Sequence, residues 1–366
     1  MSDSVATLVT LTILGLGIAV ELMLLLQFRN EGWPRERSEQ RRARREPRSR
    51  SEHLVGRFFG RRHALVMSAA CILPPTLHSH ASAQPAAAGS SEPDRAASPQ
   101  EQEAPAHNWL PHFSFQLNLD ATTAYFYRGI IQEDSGWILQ PAARVNVTLH
   151  ENPQFKLDAF FSTWNSLHGQ KTGADQGPAL NNYWYESDLA GGVSLTKGPL
   201  TLTTSYTLLA SPSDAFESVE ELGFTLALDD STWLESLALK PYATIAFEIG
   251  SNASDGKDSD PGTYLELGIG PGFSFDVQES TIAITFPVAV GMSLNDYYQD
   301  AQGDDDFLGF VQAGVRASIP LGSRGAAGAW SLNVGASMLL LGDHTREYNG
   351  GEDAEFIGVA GLQWNF

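Results

Sequence analysis

The chain has 366 residues, with 23 Lys+Arg against 43 Asp+Glu, a formal net charge of −20, 34 Gly and one Cys. The acidic balance excludes a nucleic-acid binder that neutralises phosphates with a basic stripe, and one cysteine excludes a disulfide framework or a Cys-rich zinc site. A mean hydropathy of −0.17 excludes a polytopic helical membrane protein, which needs several apolar runs of about 20 residues. It leaves open a membrane β-barrel, in whose strands every second residue is polar.

The charges divide the chain. Residues 1–83 hold 12 Arg, no Lys and 7 acidic residues, leaving 11 basic and 36 acidic groups, a net of −25, from residue 84 onward. Arg57, Arg61 and Arg62 precede an apolar stretch, Ala64 to Leu73, then Pro74-Pro75 and Ala81-Ser82-Ala83. These are the n-region, h-region and cleavage site of a secretory signal peptide, expected over 55–83. Cys71 lacks the uninterrupted apolar run before it that a lipoprotein cysteine follows. Residues 1–54 carry an apolar run, 5–27, broken by Glu21 and followed by an Arg cluster, and read as an upstream extension from a misassigned start. Residues 84–107, rich in Ala, Pro, Ser, Gln and Glu without an aromatic, bury too little surface to fold and read as a disordered periplasmic leader.

From residue 108 to 366 the dominant period is two. Phe113 to Arg128 places apolar or aromatic residues at 113, 115, 117, 119, 125 and 127 and polar ones at most even positions, which predicts a sixteen-residue strand. Similar segments follow at 139–150, 155–164, 183–196, 199–209, 219–229, 236–249, 263–270, 281–292, 307–319, 330–341 and 356–366. Short turns at 151–154 and 197–199 alternate with long polar loops at 165–182, 250–262, 293–306 and 342–355, while the turns at 271–280 and 321–329 are longer than this scheme wants. The fold class expected is all-β: a closed antiparallel transmembrane barrel of about 12 strands, range 10–14, with both ends periplasmic. Tyr125, Tyr127, Trp164, Trp184, Trp330 and Trp364 lie at strand ends and are expected in interfacial girdles. Leu362, Trp364 and Phe366 close the last strand in the manner of the assembly signal of bacterial outer-membrane barrels.

The charges of the strands fall in the polar phase, which assigns to the lumen Arg128, Arg144, Lys156, Lys240, Arg316, Asp120, Asp158, Glu186, Asp188, Glu221, Glu248 and Glu266. On the lipid face each would cost roughly 2–4 kcal/mol near the midplane. Such charges either line an aqueous pore or pair into a network that plugs a narrow barrel. Arg128 beside Gly129 is placed at the lumen mouth, either touching solute or pairing with Asp120 or Glu186 to hold register.

The stretch Ala124-Tyr-Phe-Tyr-Arg-Gly-Ile-Ile-Gln-Glu-Asp134, with Gln140-Pro141 after it and the Gly-rich strand Glu186 to Gly192, resembles the opening of the TorF-like putative porins. The resemblance covers about 25 residues; Phe126-Tyr127 and the loop at Ser135-Gly-Trp137 depart from it. It implies a channel role in the cell outer membrane with no catalytic residues.

The expected function is therefore passive diffusion of small solutes through a porin-like channel of weak cation preference. The alternatives are a non-conducting structural or adhesive barrel and a secreted soluble β-sandwich. Partners expected are outer-membrane lipid and lipopolysaccharide, the barrel-assembly machinery and small solutes, with no nucleic acid, cofactor or metal. His150 falls in the lumen phase by alternation, and His168 and His344 read as solvated loop residues outside any Ser-His triad. The acidic loop Asn252 to Gly262 departs from calcium-loop spacing. Asp304, Asp305 and Asp306 form an acidic run suited in type, though not in pattern, to bridging a divalent cation to lipopolysaccharide phosphates.

Overall fold

The computed structural model describes residues 113–173, 181–254, 260–277, 280–300, 302–322 and 328–366, all within one compact unit. The expected extension, signal peptide and leader (1–54, 55–83, 84–107) lie outside the described residues. Sixteen strands follow in order: β1 Phe113–Thr122, β2 Tyr125–Tyr127, β3 Ile130–Glu133, β4 Ile138–Glu151, β5 Lys156–His168, β6 Trp184–Lys197, β7 Leu200–Ala210 and β8 Val219–Leu228. Then come β9 Tyr242–Glu248, β10 Thr263–Ile269, β11 Gly272–Val277, β12 Ser280–Thr285, β13 Val288–Asn295, β14 Leu308–Pro320, β15 Ala329–Leu341 and β16 Ala354–Asn365.

All but β2 and β3 form one antiparallel sheet whose order runs from β14 through β13, β10 and β9 down to β4, β1, β16 and β15, and β14–β15 pairing closes it. β10 with β11, and β12 with β13, are each one long strand interrupted at Pro271 and Pro287, so the barrel has twelve strands. Proline cannot donate to the ladder, yet its carbonyl still accepts: Phe286 N–H donates to Pro271 O at 2.8 Å and Gly314 N–H to Pro287 O at 2.9 Å. This corrects the expected turn at 271–280, where Pro271 is a strand interruption and β11 and β12 prolong the hairpin; Pro287 interrupts the expected strand at 281–292. A single closed sheet also rules out the two packed sheets of a β-sandwich.

The outward phase is the one the alternation assigns. Leu119, Phe161, Val193, Leu202, Leu267 and Met338 are all exposed on the outside, while Asp120, Asp158, Glu186, Glu221 and Glu266 alternate inward. Lys197 and Glu220 take outward positions, both near strand ends. Closure is made by β1 and β16, with Leu117 opposite Trp364 and paired bonds between Phe115 and Phe366 (Phe115 N–H to Phe366 O 3.0 Å; Phe366 N–H to Phe115 O 2.9 Å). Phe115, Phe366, Trp364 and Trp330 form a chain of ring contacts at that end, with centroids 5.8–6.4 Å apart.

The first strand departs from expectation. It stops at Thr122, and residues 125–133 form a separate two-stranded hairpin, β2–β3. Its two-residue turn is Arg128-Gly129, with φ of +47° and +88°. Positive φ at both central residues is the conformation whose twist suits a tight hairpin. A continuous strand cannot accommodate it, which is why the alternation overruns the true end. Lys240 is likewise not in a strand: it is exposed at φ +49°, before β9. Residues 231–237, expected to lead into that strand, form a short helix α1, Ser231–Leu234, and a 3-10 turn, Glu235–Leu237. Trp233 there is 63% exposed, an interfacial position the pattern did not flag.

Candidate functional site

The β2–β3 hairpin folds into the barrel. Its partners lie within the first few residues of the strands at the long-loop end, so it fills that part of the lumen. One side of it is apolar: Ala124, Phe126 and Ile130 form a buried cluster with Phe310, Leu339, Ile357, Tyr264, Tyr297 and Tyr298. Burying each such side chain stabilises by about 1.5–3 kcal/mol, so the hairpin has its own core inside the barrel. A second helix, α2 Asp343–Tyr348, is followed by Asn349, which clamps the turn: its Nδ2 donates to Gly129 O at 2.6 Å and its Oδ1 accepts from Ile131 N–H at 2.7 Å.

The rest of the hairpin faces an acidic wall. Tyr125 donates to Glu186 at 2.5 Å. Arg128 forks onto Glu221, Nη1 to Oε1 at 2.6 Å and Nη2 to Oε2 at 2.9 Å, and its Nη1 also donates to Tyr297 Oη at 2.6 Å. The guanidinium lies 4.1 Å from the centre of the Tyr264 ring, 5.0 Å from Tyr127 and 5.3 Å from Tyr297. The other wall carboxylates take neutral donors. Glu266 accepts from Tyr242 and Tyr264 at 2.7 and 2.6 Å, and Glu248 from Ser254 N–H and Gly262 N–H, both at 2.7 Å.

The structure thus brings together Arg128, Glu186, Asp188, Glu221, Glu248 and Glu266. Arg128 pairs with neither Asp120 nor Glu186, the partners expected of it. The other assigned residues lie deeper. Lys156 pairs with Asp158 at 3.0 Å, and Thr148 donates to the same carboxylate at 2.7 Å. Arg144 lies 3.8 Å over the Phe160 ring. Arg316 acts electrostatically on Asp120, whose Oδ1 occupies the space a Cβ on Gly361 would need. Below the hairpin the wall is hydroxyl-rich, with Ser194–Thr203, Thr196–Thr201 and Thr225–Thr244 in contact across strands at 2.9, 3.0 and 2.8 Å. Lys240 is not lumenal, for the reason given above.

Several site residues escaped the pattern. Tyr125, Tyr127 and Trp164 are not girdle residues: Tyr125 is 1% exposed, with its ring 5.2 Å from Trp164 inside the barrel. Tyr297 and Tyr298 reach the lumen from the β13–β14 loop, where Asp305 accepts from Tyr298 N–H at 3.0 Å and Ser293 Oγ–H at 2.7 Å. Asp305 is therefore turned onto its own loop. Two bulky aromatics inside a polar loop, and an Arg-Gly pair between Tyr-Phe-Tyr and Ile-Ile-Gln, were the available signals.

His168 is fully buried at the end of β5, not solvated. Its Nε2 is 2.9 Å from Ser166 Oγ and its Nδ1 3.8 Å from Glu133, and its ring stacks on Tyr185 at 4.6 Å. Ser, His and carboxylate stand in the order of a hydrolytic triad, but Ser166 and His168 are both 0% exposed, which leaves no approach for a substrate. His150 also departs from its expected phase: a register shift after Thr148 sets it opposite Leu157, on the outward side. Among the described residues no group of three or more His, Cys, Asp or Glu is arranged to hold a metal ion.

A closed barrel satisfies every backbone ladder internally and presents apolar side chains outward, as a membrane-spanning sheet must. Such barrels stand in outer membranes, and this chain is one of them. No protein-family model matches the chain, and no curated protein matches it in sequence. Among solved structures, it is similar to the NanC porin at 9% identity, covering 68% of this chain and 98% of that one, with a TM-score of 0.38. An outer-membrane channel from Pseudomonas putida F1 gives 11%, 72%, 100% and 0.39. The translocator domain of the autotransporter NalP from Neisseria meningitidis gives 15%, 70%, 88% and 0.33. At such TM-scores the barrel assignment stands on the strand topology alone.

Proposed function

We propose that the chain is a porin-like outer-membrane channel for passive diffusion of small solutes, weakly cation-preferring, with the β2–β3 hairpin as its constriction. The observation that carries this reading is the division of the barrel interior: a hairpin seated at the long-loop end, with a half-buried, hydroxyl-rich wall below it. Polar walls of this kind suit water and small solutes, and the seated hairpin, tied to the acidic wall through Arg128 and Glu221, narrows the lumen where they would be sorted by size and charge. The TorF-like stretch, Ala124 to Asp134, is the hairpin itself, so the resemblance falls on the constricting element. Assigned to the passage are Arg144, Lys156, Asp158, Asp120 and Arg316, and to the constriction Arg128, Glu186, Asp188, Glu221, Glu248 and Glu266. Lipid and lipopolysaccharide contact the outer belt, and the barrel-assembly machinery would read Leu362, Trp364 and Phe366.

One observation favours a second reading, a non-conducting structural barrel: the hairpin has a buried core and many polar ties, as a permanent plug would. Planar-bilayer recording of the purified full chain separates the two. Discrete conductance steps are expected. Silence at all voltages, with discrete steps appearing when Arg128 and Asn349 are replaced together, would make the hairpin a plug and overturn the open-channel reading.

A further inference from the structure

Arg128 sits at the tip of the hairpin in the left-handed region, φ +47°, where a side chain other than Gly, Asn or Asp is strained. What holds it there is unusually complete for a tie between two elements. Glu221 accepts both arms of the guanidinium, Tyr297 Oη accepts a third bond, and the Tyr264 ring centre lies 4.1 Å from the cation.

The receiving side also has ties of its own that do not involve the hairpin. Glu221 and Tyr264 project from β8 and β10. Tyr297 is fixed by its own hairpin and by the β9–β10 loop, its N–H donating to Ser293 Oγ at 3.0 Å and its Oη lying 2.8 Å from Ser254 Oγ. Tyr264 is oriented by its bond to Glu266. If the tip withdrew, a bidentate carboxylate, a ring face and a phenol oxygen would remain in place around a hole of guanidinium shape. The neighbouring Glu248 and Glu266 make that hole more negative still.

We propose that Glu221, Tyr264 and Tyr297 form a binding site for solutes carrying a guanidinium group, and that Arg128 occupies this site while the hairpin is seated. A planar guanidinium satisfies the fork and the ring together; an alkylammonium keeps the charge but not the parallel pair of bonds. A guanidinium solute then competes with Arg128 for the wall and favours the withdrawn hairpin. The proposal deepens the channel reading, on which it rests for what brings the solute to the site, but its binding test does not depend on conduction.

The test uses Arg128→Ala, which empties the site, and Arg128→Ala/Glu221→Gln, which also removes its anchor, both refolded in detergent and checked by heat-modifiable migration. The probe is methylguanidinium chloride, compared with sodium chloride of equal concentration. Thermal unfolding of Arg128→Ala is expected to shift upward with half-effect on the order of 1–10 mM, and the wild type and double variant are expected to show no such shift. In bilayers the same salt should reduce the current through Arg128→Ala. No shift in Arg128→Ala, or an equal shift in the double variant, overturns the site even if every form conducts. A shift confined to Arg128→Ala with no conductance in any form keeps the site and removes the channel reading. If Arg128→Ala fails to fold, refolding with methylguanidinium is the readout. Recovery of the folded band supports the site, and failure while Arg128→Lys folds overturns it.

Discussion

Arg128 and Glu221, 93 residues apart in the chain, meet as a two-pronged fork inside the lumen, their side chains 16% and 6% exposed. Removing one member of a buried pair leaves the other charge unpaired, at a cost of about 3–5 kcal/mol. Arg128→Ala and Glu221→Ala should each lower the unfolding free energy by about that much in detergent. The double variant should lose less than the sum by more than about 1 kcal/mol, because the second change removes a charge already stranded. Additivity within about 0.5 kcal/mol would show that the two do not act as a pair.

Asn349 holds the turn without contributing charge. Asn349→Ala strands two backbone groups, Gly129 O and Ile131 N–H, each at about 1–3 kcal/mol if water does not replace the bond. We expect more frequent opening transitions in single-channel records than in the wild type. Asn349→Asp keeps the acceptor for Ile131 N–H but loses the donor to Gly129 O, and should fall between the two. Records indistinguishable from wild type in Asn349→Ala would mean the apolar cluster alone seats the hairpin.

Much of this architecture was legible in the sequence, because a strand with lipid on one side and polar lumen on the other must alternate, and nearly every barrel strand does so. The alternation assigns Glu186, Glu221 and Glu266 to the inward phase, and all three side chains are buried. It could not reveal that the chain turns back at Arg128-Gly129, since Tyr125 and Tyr127 keep the same parity across the break at Thr123. Nor could it pair Arg128 with Glu221, because four strands intervene in the sheet between β1 and β8 and the partner is set by how far the hairpin reaches. Lys240 was misplaced for a simpler reason: Leu237 and Leu239 mimic an outward phase where the chain forms a 3-10 turn.

The β13–β14 loop, which carries Tyr297 and Tyr298, should loosen in acid. Asp300 lies there, its carboxylate accepting from Asp304 N–H at 2.9 Å and Gln302 N–H at 2.8 Å. Chiefly the Asp304 bond, with the others and the nearby His344, holds it below its ordinary value of 3.8 despite some desolvation. A group held low in the folded state contributes fully above its unfolded value, and that contribution is lost as pH falls through the lowered one. Hydrogen exchange of the Gln302 and Asp304 amides should therefore rise, relative to the intrinsic rate, below about pH 4. In Asp300→Asn it should be raised already at pH 7. Protection that is flat from pH 7 to pH 3 would exclude this role.

Phe366 should matter more to assembly than to the finished barrel. It is 46% exposed, and its ring pairs with those of Trp364 and Phe115 at 5.8 and 6.4 Å, so truncating it to Ser should cost roughly 1 kcal/mol. Insertion in cells should fall several-fold, while barrel refolded in detergent keeps nearly wild-type stability. Normal outer-membrane levels of Phe366→Ser would show that the terminal aromatic is not read during assembly.

Selectivity is decided by the loops if the channel conducts. Among the described residues of the long-loop end, Asp134, Asp214, Glu217, Asp304, Glu352 and Asp353 are exposed. Of the basic residues in the described loops there, Arg346 is bound to Asp343 and Asp353, each at 3.0 Å, and Lys171 is the other, so acidic residues outnumber basic ones at that end. Inside, Arg128 is matched by Glu221, and Lys156 by Asp158, so the lumen does little to reverse the sign. A vestibule of this charge concentrates cations over a Debye length of roughly 8–10 Å at 0.1–0.15 M salt. Reversal potentials under a KCl gradient should show a weak cation preference at 0.1 M that declines toward none at 1 M, where the length falls to about 3 Å. Neutralising Glu352 and Asp353 together should weaken it at low salt and leave the high-salt value unchanged. Anion selectivity at 0.1 M would instead place control at Arg144 and Arg316, the basic residues deeper in the passage.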